Sequence, residues 1–174
     1  MEKMILNKPI QSLVLAVLLS ASHFAIAADI SASDASFLKK AAQSGLFEVS
    51  GGNLALKKSK NGEVQKFAKM MVEDHSKSGQ KLKKLAQKKN IELPTEPNFM
   101  QKGSLMLLNT YDTKSFDQSY SENIGVEAHE KTVELYEETI KSSSDADIKQ
   151  YATEGLPTVK HHLEMAKKLD QIVD

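Results

Sequence analysis

No cysteine occurs in the 174 residues, and no arginine. The first absence removes disulfides, thiolate metal ligands, a thiol nucleophile and a lipid-modified N-terminal cysteine. The second removes the bidentate guanidinium fork suited to phosphates and base edges, since every basic residue is lysine. Charge is nearly balanced, with 23 basic and 23 acidic side chains. A chain without a basic block attracts nucleic acid weakly, so no nucleic-acid partner is expected. There is also no Gly-rich phosphate loop, no G-x-S-x-G elbow and no H-E-x-x-H run. No catalytic residue is assigned.

The chain opens with lysines 3 and 8, an apolar run from Ile10 to Ile26, and the small-residue pattern Ala25-Ile26-Ala27. This is the layout of a secretory signal peptide cleaved after Ala27, although the run is almost long enough for an uncleaved anchor. Residues 1–27 are assigned to the leader and 28–174 to one domain. The expected address is periplasmic or secreted, with no stable membrane span after cleavage. Loss of Glu2, Lys3 and Lys8 leaves 21 basic and 22 acidic side chains, a net charge of about −1.

The mature part reads as four long segments of helical period with no β-alternation, roughly 34–59, 63–89, 113–141 and 146–172. Asp34 and Ser33 offer a first cap, "KNG" at 60–62 makes a break, and Pro94 and Pro97 stop the second segment. A short helix is expected at "KGSLMLLNTY", residues 102–111. The fold class is all-α, an antiparallel four-helix bundle in which two hairpins suggest up-down-up-down order. The rival arrangement is a dimer of elongated hairpins, and a homodimer or an envelope protein partner is left open.

Steps of three and four mark a buried stripe on each segment. They run Leu38, Ala41, Gly45, Glu48, Gly52, Ala55, Ser59; Val64, Ala68, Met71, His75, Ser78, Leu82, Leu85; Phe116, Tyr120, Asn123, Val126, His129, Val133, Tyr136, Ile140; and Ile148, Ala152, Gly155, Val159, His162, Ala166, Leu169, Val173. Each stripe carries one ionisable group: Glu48, His75, His129 and His162. Glu48 lies about 12 residues before the first turn and His75 about 14 after it, while His129 lies about 14 before the last turn and His162 about 17 after it. In an antiparallel bundle all four therefore fall within roughly one or two helical turns of the same level.

Three imidazoles and a carboxylate in one layer suit a single zinc, copper, iron or manganese ion better than calcium or magnesium. The competing reading is a hydrogen-bonded polar layer that fixes helix register. Asp74, Glu130 and Glu164 are candidate outer acceptors that could orient a ring. Met71 and Met165 would favour copper(I), but core filling suits them better. Val72, Val126 and Val159 stand three residues before the histidines, where a di-iron centre needs glutamate, so a mononuclear site or none fits. Oxidoreductase chemistry would need a redox-active ion and an open position, and the sequence displays neither.

Glycines 45, 51 and 52 either make a slim face for helix approach or space around Glu48, unless "SGGN" kinks the helix. Pro157 is expected to kink the fourth helix or mark its start. The stretches "FEVSGGNLAL", "VQKFAKMMVEDHSKSGQKLKKLA", "AHEKTVELYEE" and "LPTVKHHLEMAKKL" resemble the secreted bacterial proteins of domain-of-unknown-function family 4142. The resemblance implies a ferritin-like bundle and export and supplies no established activity; metal or oxidative-stress handling is the role that a mid-bundle metal site would suit. It matches at Glu48, Asp74-His75, His129 and His162, with His161 variable. Ala128 departs from it, since the family often has an acidic residue there; Glu127 and Glu130 are the available substitutes.

Overall fold

The computed structural model describes residues 30–173, so the expected leader at 1–27 lies outside the described residues. Every regular element described is helical: α1 Ala32–Lys58, α2 Gly62–Lys88, α3 Phe99–Thr110, α4 Thr113–Ser119, a π-helical segment Tyr120–Glu127, α5 Ala128–Ser142 and α6 Ala146–Val173. No helix among the described residues is long and apolar enough to cross a membrane. One chain supplies all four long helices of the bundle, with α4, the π segment and α5 running on as the third.

Local chemistry sets the ends. Ser31, rather than Ser33 or Asp34, caps α1 by accepting from the Asp34 N–H at 3.0 Å. Asn61 caps α2 through the Glu63 N–H at 2.9 Å. α2 stops before either proline: Asn90 takes a left-handed φ of 55°, while the Asn90 and Ile91 N–H groups return to Gln87 and Ala86 carbonyls. This paired return satisfies the last orphan carbonyls, and asparagine tolerates the left-handed region better than most residues.

The order of the helices differs from the up-down-up-down expectation. Lys88 and Lys89, at the end of α2, meet Asp147 and Asp145 at the start of α6. At the opposite end, Lys58 of α1 donates to the Asn109 carbonyl at 2.5 Å and lies over the Phe116 ring of α4. The stretch between α2 and α4, containing α3, thus crosses the length of the bundle. The order becomes up-down-down-up, a single-crossover arrangement. Neighbouring helices remain antiparallel. The level of the four ionisable groups survives the change because they sit near mid-helix, where counting from either end gives the same height.

α3 buries only Leu108 and leaves Phe99, Met100, Met106 and Leu107 exposed. The interior divides into two apolar halves. One holds Phe47, Phe67, Met71, Phe116, Tyr120, Ile124 and Leu169. The other holds Phe37, Leu38, Leu82, Tyr136, Ile148 and Val159. Met71 therefore fills core, and Met165 packs beside the same half.

The third stripe is shifted from its expected phase. Ile124 and Gly125 are buried, Asn123 is exposed, and Val126 is half-buried. The cause is the π segment, in which the Ala128 N–H bonds five residues back to the Asn123 carbonyl. Its wider turn carries the buried stripe past the expected steps of three and returns it to phase at His129. α1 and α6 continue through "SGGN" and Pro157. Pro157 and Thr153 are both exposed, so water can reach the carbonyl that proline leaves without a donor.

The glycines of α1 divide between the two expected roles. A Cβ on Gly52 would sit 2.9 Å from Val72 Cγ2 and 3.1 Å from the Ala68 carbonyl, and one on Gly51 would overlap Ile124. A Cβ on Gly45 would meet nothing within 4 Å. Close approach is thus served by 51 and 52, and open space by 45. Gly52→Ala should destabilise by about 1–3 kcal/mol through overpacking, whereas Gly45→Ala should stabilise by about 0.5–1 kcal/mol through helix propensity. Urea unfolding of the two variants checks this, and equal signs would contradict the division.

Candidate metal centre

Glu48 from α1, His75 from α2, His129 from α5 and His162 from α6 meet between the two apolar halves, so each expected site residue is in the layer. Their exposures are 0%, 9%, 0% and 1%. The histidine ring centroids are 5.1–5.6 Å apart. One nitrogen from each ring lies within 4.8 Å of the others, so the three histidines are grouped as a set that could hold a metal ion.

Each ring has a separate oxygen partner at its outer edge. His129 Nδ1 lies 2.8 Å from the Gly125 carbonyl and 3.1 Å from that of Ile124. Carbonyls only accept, so Nδ1 carries the proton and Nε2 keeps its lone pair. His162 Nε2 lies 3.2 Å from Asp74 Oδ2, which fixes that N–H outward and leaves Nδ1 as the lone pair. His75 Nδ1 lies 2.9 Å from Glu48 Oε2, while His75 Nε2 is 3.4 Å from His129 Nε2.

His75 Nε2 can donate to His129 Nε2 only while it carries a proton, and once His75 loses it two lone pairs face each other. Among the described residues, His162 Nδ1, Tyr120 Oη and Glu48 Oε1 are buried without a hydrogen-bond partner, whereas Glu48 Oε2 has the His75 contact. Glu48 Oε1 is also 3.9 Å from His129 Nε2. Each such orphan typically costs about 1–3 kcal/mol. A cation satisfies nitrogen lone pairs and carboxylate oxygens together, so the donor set fits a transition-metal ion. Tetrahedral Zn–N bonds of about 2.0–2.1 Å bring nitrogens closer than the widest pair here, so loading requires the rings to draw in.

Asp74 fills the outer role expected of it. Glu130 is held by Lys167 at 2.8 Å, Glu127 by Lys131 at 2.6 Å, and Glu164 is exposed. None of these three is paired with a residue of the layer. His161 is exposed and stands outside the set. The Ile124 and Gly125 carbonyls are the contribution that sequence reasoning missed, because a π turn has no simple residue signature.

Burial pushes Glu48 up, but the three histidines, His75 first, outweigh it and hold the carboxyl below its ordinary 4.5. Burial lowers His75, yet Glu48 and Asp74 carry it above 6.5. Burial dominates for the other two: His129 is lowered, and His162 is pushed down to about 4. Burial alone would depress all three histidines, and His75 departs from this because it owns the carboxylate contact. Tyr120 is raised by burial and by Glu48.

The sequence profile of the family described as Domain of unknown function (DUF4142) matches residues 19–169. The chain belongs to the DUF4142 family. No curated protein and no solved structure matched the chain. Membership of DUF4142 accounts for the shared sequence, and the chemistry of the centre must be read from its own atoms.

The pH response of the metal-free protein follows from these shifts. His129 and His162 contribute stability that is complete above 6.5 and is lost as the unfolded chain takes up protons below it. For His162 alone the loss by pH 4 is on the order of 3 kcal/mol. His75 acts oppositely, its contribution being full below 6.5 and fading as pH rises through its higher folded value. Glu48 adds stability above 4.5 that falls away in stronger acid. Unfolding free energy should therefore drop between pH 6.5 and 4.5, and the drop should shrink in His162→Phe. A flat curve over that range would contradict the buried neutral pair.

Proposed function

We propose that this DUF4142 protein is exported and binds one transition-metal ion at mid-bundle, through His75, His129 and His162, with Glu48 beside them as ligand or charge partner. The observation that carries this reading is the set of three buried ring nitrogens whose opposite nitrogens each face an oxygen. Imidazole donors suit zinc, copper, iron or manganese. Asp74 and the Gly125 carbonyl then act as orienting groups. The leader-like residues 1–27 support a periplasmic or secreted place of work, where the protein would serve metal handling or protection from oxidative stress.

The close His75–Glu48 contact favours one other reading, in which the layer is structural and the protein acts through an envelope partner. In that case the carboxylate and the imidazole compensate each other's charge without an ion. Elemental analysis of untagged protein recovered from the periplasm separates the two. Near-stoichiometric metal is expected in the wild type and none in folded His129→Ala. Asp74→Asn should keep the ligands but weaken affinity about 10–100-fold. A wild type that is empty and takes up none of the four metals would contradict the metal reading, and His75→Ala would then change only stability. Recovery solely from the cytoplasm would contradict export.

A further inference from the structure

A cleft of about 850 Å³ opens beside the metal centre, with Glu48, His75 and His162 on its inner wall. It exists because α1 presents Ala41, Ala42 and Gly45 to it, and nothing stands within 4 Å of where a Gly45 Cβ would be. Leu46, Val49, Ile91 and Leu93 line it and are only half-buried, Ile91 and Leu93 packing on their other side against the half that holds Phe37. Ile91 and Leu93 lie in the segment that follows α2, so the crossover supplies part of the wall. Tyr151 Oη and Ser78 Oγ, 2.8 Å apart, place hydroxyls on its wall.

We infer that this cleft binds one uncharged, largely apolar organic molecule bearing an oxygen able to hydrogen-bond. The volume lies within the range of about 300–1,000 Å³ usual for small-molecule sites. Charge on the walls argues for a neutral occupant. Lys77 is paired with Asp74 at 3.7 Å. Lys81 and Lys83 share the walls with Glu92 and Glu154. The remaining wall carboxylate, Glu48, is engaged by His75 at 2.9 Å, so no excess of positive charge is left to neutralise an anionic ligand. The apolar body would cover Leu46, Val49, Ile91 and Leu93, and its oxygen would meet Ser78 and Tyr151. This inference does not depend on a bound metal.

The test is a fluorescence titration of metal-free protein with N-phenylnaphthylamine, an uncharged apolar probe. Saturable one-to-one binding is expected, weakened at least about tenfold in Gly45→Leu, whose added side chain enters the cleft. That variant should melt at or above the wild-type temperature, because its Cβ has room and leucine favours helix more than glycine does. If it fails to fold, Gly79→Leu carries the comparison, since its Cβ also meets nothing within 4 Å and it too lines the cleft. Phe99→Ser/Met106→Ser, on the exposed face of α3, should bind as the wild type does. The anionic probe anilinonaphthalene sulfonate should bind at least about tenfold more weakly than the neutral one. Absence of saturable binding, full binding in the filled variant, loss only in the α3 variant, or equal affinity for the anion would overturn the inference.

Discussion

Glu48 holds a carboxylate at zero exposure, and the rest of the bundle is arranged around keeping that charge tolerable. An isolated buried ion would shift its pKa and neutralise, so it persists only with cations or donors around it. Three imidazoles from three other helices supply that surrounding. Two of them are depressed by burial and one is raised by the carboxylate, so the layer is electrostatically divided before any ion enters. A divalent cation would resolve this division, since it satisfies the carboxylate and the neutral nitrogens at once.

Helix architecture serves the layer in specific ways. Gly51 and Gly52 bring α1 close to Ile124 and to α2, which seats Glu48 against its partners. The π segment turns carbonyls of Ile124 and Gly125 toward His129 Nδ1, fixing the tautomer that points Nε2 inward. Asp74 does the same for His162 from the adjacent helix. Orientation of ring nitrogens by outer oxygen acceptors is the arrangement that tunes metal-binding histidines. Apolar halves above and below the layer keep the dielectric low, which strengthens these contacts and raises the cost of leaving one unmade.

Much of this was legible in the residues because helical period is a strong signal and each stripe carried a single ionisable group. His75, His129 and His162 could be placed on buried faces, and Asp74 could be nominated as an outer acceptor, from spacing alone. The shifted stripe at Ile124 and Gly125 was not legible, since a wider turn changes phase without a marker residue. The order of the helices was also hidden. A connection long enough to hold α3 is compatible with returning to the same end or crossing to the other. The meeting of Lys88 and Lys89 with Asp147 and Asp145 at one end, and of Lys58 with Asn109 and Phe116 at the other, decides it. That Glu127 and Glu130 turn to surface lysines depended on ion pairs that sequence does not rank.

The central claim is that three imidazoles of one layer bind one ion, and X-ray absorption at the metal edge of zinc-loaded protein tests it most directly. The account predicts three imidazole nitrogens in a shell at about 2.0–2.1 Å, with the outer scattering of their rings. A shell of oxygens without imidazole scattering, or a protein that takes up no zinc for the measurement, would contradict it.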